Sequence, residues 1–179
     1  MKRNLVLAAI FSLFLLAMSA SAQTPSFSGT WTLDVSKSKL GDRNMIAEQT
    51  LTVVQTAKDI TITPVTKRTA PPEGAGGGGG GRGGMGGGDM ASTFTLDGKG
   101  KDVTMDTPRG PSTATLSGKS DGGKLILTTS RSFDGPNGPM TMSSKETWEL
   151  SADGKTLTIN TERTTPRGTD STTKVFTKK

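Results

Sequence analysis

Thr147-Trp148-Glu149-Leu150-Ser151-Ala152-Asp153-Gly154-Lys155-Thr156-Leu157-Thr158-Ile159-Asn160 decides the fold. Trp148 and Leu150 alternate with polar residues, and so do Leu157 and Ile159 after the break. Two period-2 runs joined through Asp-Gly form a β-hairpin signal, because glycine accepts the backbone angles that a tight turn demands. The same pattern continues outward in both directions. Apolar pairs recur at Trp31-Leu33-Val35, Leu51-Val53, Ile60-Ile62, Phe94-Leu96, Val103-Met105, Ala114-Leu116, Leu125-Leu127 and Met140-Met142. Threonine is the usual alternating partner, as at Thr30, Thr32, Thr50, Thr52, Thr61, Thr63, Thr93 and Thr95. Apolar-in, threonine-out alternation is what a half-buried antiparallel strand requires. Asp97-Gly98, Asp121-Gly122 and Asp134-Gly135 mark further turns, with Pro108, Pro136 and Pro166 nearby. Sustained helical spacing is absent after residue 22.

This predicts an all-β protein of about eight to ten short antiparallel strands. A sandwich and an up-and-down barrel both absorb that number. Sequential hairpins with short turns favour the barrel, which also removes the edges that a threonine-rich sheet would expose.

The head of the chain reads as an address. Lys2 and Arg3 precede an apolar run from Leu5 to Met18, and Ala20-Ser21-Ala22 supplies a small-x-small cleavage pattern. That is the form of a signal peptide over residues 1–22, with export to the periplasm or the outside of the cell. The run is short for a membrane span, and no later segment is apolar enough to cross as a helix. Cleavage leaves a single domain, 23–179, whose formal charge falls from +6 to +4. Within it, residues 71–90 read as a disordered glycine-rich loop inserted between strands: twelve of the 24 glycines lie between Gly74 and Gly88. Such a segment loses much backbone entropy on ordering and offers few side chains in return.

Ser28-Gly29-Thr30-Trp31 followed by Leu33-Asp34 resembles the opening Gly-x-Trp of lipocalins, and Thr147 to Thr158 is similar to a late hairpin in lipocalin-like proteins exported by bacteria. The resemblance implies a lipocalin-like barrel with Trp31 across its closed end and a lumen for a small, often apolar, ligand. It also implies a basic residue near the last strand stacked on that tryptophan, with Arg163 and Lys174 as counterparts.

The composition excludes much chemistry. The chain has no Cys, no His and no Tyr. Serine or cysteine triads, thiolate or imidazole metal sites and disulfides are therefore out of reach. Gly118-Lys119-Ser120 and Gly154-Lys155-Thr156 end like a phosphate-binding loop but lack its upstream glycines, Thr113 and Glu149 standing there instead. Arg82 among glycines lacks the repeated arginines and stacking aromatics of a nucleic-acid binder. Glu146 shares a strand face with Trp148, and a lone carboxylate there reads as a rim residue rather than a catalytic acid. Asp134-Gly135-Pro136-Asn137-Gly138 lacks the spaced acids of a calcium loop. No enzyme, cofactor, metal or nucleic-acid partner is expected, and no spanning of a membrane, because a lipid-facing barrel needs apolar outer faces and aromatic girdles.

Two sets of residues remain as candidates. Trp31, Phe94, Met105, Leu127, Met142 and Trp148 are the large apolar side chains on the inward faces; they either fill a packed core or line a lumen around a small apolar molecule. Thr107-Pro108-Arg109-Gly110 recurs as Thr165-Pro166-Arg167-Gly168, which reads either as two ordinary turns or as two arginines, Arg109 and Arg167, attracting an anion at one mouth. The functional expectation is an exported, non-enzymatic carrier of a small ligand. The alternative is a structural or interaction module of the cell envelope with a filled core.

Overall fold

The computed structural model describes residues 25–41, 44–69, 89–107, 110–135 and 138–179. The sequence-predicted signal peptide lies outside the described residues, as does the glycine-rich insert apart from Asp89 and Met90.

Ten strands form one antiparallel sheet: β1 (Gly29–Leu33), β2 (Ile46–Gln55), β3 (Asp59–Arg68), β4 (Ser92–Thr95), β5 (Lys101–Thr107), β6 (Gly110–Asp121), β7 (Lys124–Gly135), β8 (Gly138–Leu150), β9 (Thr156–Thr165) and β10 (Gly168–Lys178). Their order is β4-β3-β2-β1-β10-β9-β8-β7-β6-β5, so every strand except the two outermost lies between its neighbours in sequence or across the β1–β10 seam. The sheet rolls into a nearly closed up-and-down barrel. Its helical content among the described residues is a single 3₁₀ turn, Val35–Lys37.

The seam opposite β1–β10 closes without strand pairing between β4 and β5. Instead the Gly98 N–H donates to the Gly118 carbonyl at 2.9 Å, and Asp97 bridges Lys119. Gly118 permits this approach. A Cβ built there would stand 2.9 Å from the Thr95 carbonyl oxygen and 3.1 Å from Leu96 and Leu127 side-chain carbons.

Three details differ from the sequence expectation. Met140-Met142 and Trp148-Leu150 belong to one strand, β8, because the inward positions between them are Ser144 and Glu146. The tenth strand is β10, whose inward series Asp170, Thr172, Lys174 and Phe176 carries almost no apolar alternation. Val35 closes no strand; it opens the 3₁₀ turn, capped by the Asp34 carboxylate accepting from the Lys37 N–H.

Antiparallel order sorts the connections between two ends. β2–β3, β4–β5, β6–β7 and β8–β9 meet at one end, together with Phe27 and the C-terminal lysines. β1–β2, β3–β4, β5–β6, β7–β8 and β9–β10 meet at the other. The core lies toward the first. Phe27, Trp31, Ile60, Leu125, Leu157 and Phe176 are fully buried there, with Leu116, Leu127 and Trp148 nearly so. Burial of each such side chain stabilises the fold by about 1.5–3 kcal/mol.

Candidate ligand-binding site

The closed end is an apolar plug. The Trp31 Nε1–H donates to the Phe27 carbonyl at 2.9 Å, which satisfies the indole within the core. Phe27 meets Trp148 edge to face, with centroids 6.1 Å apart and planes at 77°. Lys178 lies opposite Trp31 in the β1–β10 register and sets its Nζ 5.2 Å from the ring centroid. The basic partner of Trp31 is therefore Lys178, not Arg163 or Lys174. The strand register puts Lys178 two residues beyond Phe176 on the inward series, so the cation caps the plug from outside.

Along each long strand the interior changes character at one level. On β9, Leu157 and Ile159 are buried while Thr161, Arg163 and Thr165 are half-buried; on β7, Leu125 and Leu127 are buried while Thr129 and Arg131 are half-buried. On β8 the inward series runs from buried Trp148 to half-buried Glu146, Ser144, Met142 and Met140, and on β10 from buried Phe176 to half-buried Lys174 and Thr172. Register aligns these steps: Glu146 faces Leu127 and Thr161, and Lys174 faces Ile159. Partial exposure of inward side chains means that solvent reaches the inside of this half. The barrel is packed at one end and open at the other.

The boundary is polar and hydrogen-bonded. The Trp148 Nε1–H donates to Glu146 Oε2 at 2.8 Å. Lys174 Nζ donates to Gln49 Oε1 at 3.0 Å, and Gln49 Nε2 donates to Thr66 Oγ1 at 3.0 Å. Gln49 is the buried polar residue of β2. Burial holds the Lys174 ammonium below the usual lysine range; Glu146 opposes that shift and Arg68 adds to it. Arg163 Nε is buried with no hydrogen-bond partner among the described residues. On the inward series Lys174 and Arg163 thus stand beside Glu146 and Asp170, cations and carboxylates on adjacent strands of the accessible half. No group of three or more metal-binding side chains occurs among the described residues.

The sequence-predicted ligand residues divide. Trp31, Phe94, Leu127 and Trp148 are packed in the core cluster, at 0–7% exposure. Of the five whose side chains are described, Met142 alone faces the accessible half, opposite Arg131. For Met105 the structure describes only the backbone, in β5. Arg167 is exposed at the β9–β10 turn, and Arg109 lies outside the described residues. The residues that sequence reasoning missed are Gln49 and Arg131, with Arg163 and Lys174 in a new role. Their one signal was a basic or amide side chain at an inward position of a threonine-rich strand.

A hollow of about 370 Å³ lies against Lys145, Thr147, Asn160, Glu162, Ser171 and Thr173. Most of its wall belongs to the outward series of β8–β10, so it is a surface depression rather than the lumen.

No family model matches this chain, and no curated protein matches it in sequence. Among solved structures it is similar to the zebrafish ileal bile acid-binding protein complexed with cholic acid, at 18% identity and a TM-score of 0.49, over 86% of this chain and 98% of that one.

Proposed function

We propose that the protein is a non-enzymatic, exported binder of a small amphiphile, taken through the open end with its anionic group against Lys174 and Arg163 and its apolar part along Met142. The observation that carries this reading is the step from buried apolar to half-buried polar side chains on the inward faces of β7, β8, β9 and β10. The signal-like head of the sequence supports export. This reading adds an anionic head to the small apolar ligand expected from the sequence, because most large apolar side chains are packed in the plug while the accessible half carries Arg131, Arg163 and Lys174 beside Glu146 and Asp170. A filled envelope module has the packed half in its favour, but it leaves unexplained why a half-buried inward lysine and an orphaned arginine nitrogen are kept. Such groups cost stability unless they are used.

Competition of dodecanoate and dodecanol against the anionic fluorophore 1-anilinonaphthalene-8-sulfonate tests the reading. The fluorophore is expected to bind saturably at one site, and dodecanoate to displace it at least tenfold more effectively than dodecanol. Joint Lys174→Met and Arg163→Met should remove that preference while circular dichroism stays β-rich. Absence of saturable binding, or equal displacement by acid and alcohol, would refute the proposal.

A further inference from the structure

Four inward charges of the accessible half do not neutralise one another. Lys174, Arg163, Glu146 and Asp170 form no ion pair among the described residues, whereas the exposed Lys37–Asp34, Lys67–Glu48 and Lys124–Glu149 pairs do. Arg163 and Asp170 even lie directly opposite each other on β9 and β10 without pairing. The two deepest charges are each held by a neutral group instead. Lys174 reaches from β10 past β1 to the Gln49 amide on β2, while Glu146 turns to the Trp148 indole of its own strand, β8. Glu146 Oε1 accepts no hydrogen bond among the described residues. Burial works against the Lys174 charge, and Glu146 supports it only from a distance. Opposite charges that served the fold alone would meet, because a partly desolvated ion is costly unless it is paired.

Register orders these groups by depth. From the mouth toward the plug, the inward rows hold Met142 first, then Arg163 with Asp170, then Glu146, then Lys174 in the row of Ile159 and Trp148. Successive rows on one face are about 7 Å apart. The Arg163–Asp170 row carries one charge of each sign, so it sets no polarity of its own. The order that remains is thioether, carboxylate, ammonium. An amphiphile that enters head first matches it when its own order is chain, cation, anion. A head with an anion alone would pair with Lys174 but place its negative charge beside Glu146, and like charges brought together oppose binding.

We infer that the ligand's head is zwitterionic: an alkyl chain ends in an amine that meets Glu146, followed by a carboxylate that Lys174 holds above the plug. This rests on the anionic-headed amphiphile proposed above and adds its second charge. The amine N–H donates to Glu146 Oε1, so both protein charges are compensated while Gln49 and Trp148 keep their hydrogen bonds.

The test is displacement of 1-anilinonaphthalene-8-sulfonate at pH 7 by N-dodecyl-β-alanine, dodecanoate and dodecylamine, each below its micelle-forming concentration. N-dodecyl-β-alanine is expected to displace the fluorophore at least fivefold more effectively than dodecanoate, and dodecylamine to be the weakest of the three. Glu146→Gln, whose amide oxygen still accepts from the Trp148 indole, should abolish the preference for N-dodecyl-β-alanine over dodecanoate. Glu162→Gln removes the same charge from an exposed, outward position on β9 and should leave that preference within twofold. N-dodecyl-β-alanine no better than dodecanoate overturns the inference, and so does dodecylamine matching it, which would mark a site for cations alone. A preference that survives Glu146→Gln, or falls equally in Glu162→Gln, overturns it as well. The ranking of the three ligands is read on the unaltered protein and does not depend on either variant folding. Failure of the underlying reading is distinct: it shows as equal displacement by dodecanoate and dodecanol.

Discussion

Gly118 shows how one missing side chain closes the barrel. β4 and β5 do not pair, so the wall is joined near the closed end by β4 lying against β6, and the approach passes over a residue with no Cβ. The atoms that a methyl group would meet are a backbone carbonyl and the branches of two core leucines, none of which can withdraw freely. Gly118→Ala is therefore expected to destabilise the fold by about 1–3 kcal/mol through overpacking, read as a lower urea midpoint with an unchanged slope. Lys174 illustrates the opposite economy. Its ammonium is kept in a partly desolvated position, and its hydrogen bond to the buried Gln49 amide offsets part of that cost, so a hydrophobic residue there would leave the amide oxygen unpaired.

At the scale of elements, the turns are held by carboxylates. The Asp34 carboxylate accepts from the Ser36 hydroxyl and the Lys37 N–H, Asp97 from the Lys99 N–H, and Asp153 from the Ser151 hydroxyl and the Lys155 N–H. These bonds favour the ionised form. The Ser36 and Lys37 contacts hold Asp34 at about 2, and the other two also lie below the ordinary value of 3.8. A folded-state value lower than the unfolded one adds stability above the unfolded value, and that stability is lost as pH falls through the folded value. Thermal stability should accordingly drop between roughly pH 4 and pH 2. In the joint Asp34→Asn, Asp97→Asn, Asp153→Asn variant that drop should shrink, since the amide oxygen keeps the acceptor without titrating; an identical acid profile would show that these turns contribute nothing to it.

The whole molecule is a plug and a cup in one sheet, and its response to ligand follows from that division. The plug buries the residues that hold the fold together, so the cup can be occupied without repacking it. Dodecanoate at a hundredfold excess over its dissociation constant is expected to raise unfolding free energy by about 2.7 kcal/mol, while dodecanol at the same concentration adds far less. Thermal melts in the two additives read the difference directly. Melts that coincide would show that the cup does not distinguish the charged head.

Much of this architecture was legible in advance, and the part that was not has one physical cause. Where an inward face is packed, as at Leu125, Leu127, Leu157 and Ile159, apolar side chains alternate with threonine and the strand announces itself. Where the inward face is wet, as at Ser144 and Glu146 on β8 or Asp170, Thr172 and Lys174 on β10, both faces are polar and the period disappears. One strand was consequently read as two, and another was passed over. The lapses in the pattern coincide with the walls of the accessible half, so the weakest strand signal fell on the residues of the candidate site.

The amino-acid order alone determined the class of fold, the hairpin turns and the exclusion of imidazole and thiolate chemistry, because alternation, Asp-Gly pairs and residue inventory are local properties. Only the tertiary structure decided which end is filled, that Lys178 rather than Lys174 covers Trp31, and that Gln49 meets Lys174 across 125 positions of sequence. Those facts depend on how strands far apart in the chain are staggered around the barrel, and stagger is set by the closure of the whole sheet rather than by any one segment of it.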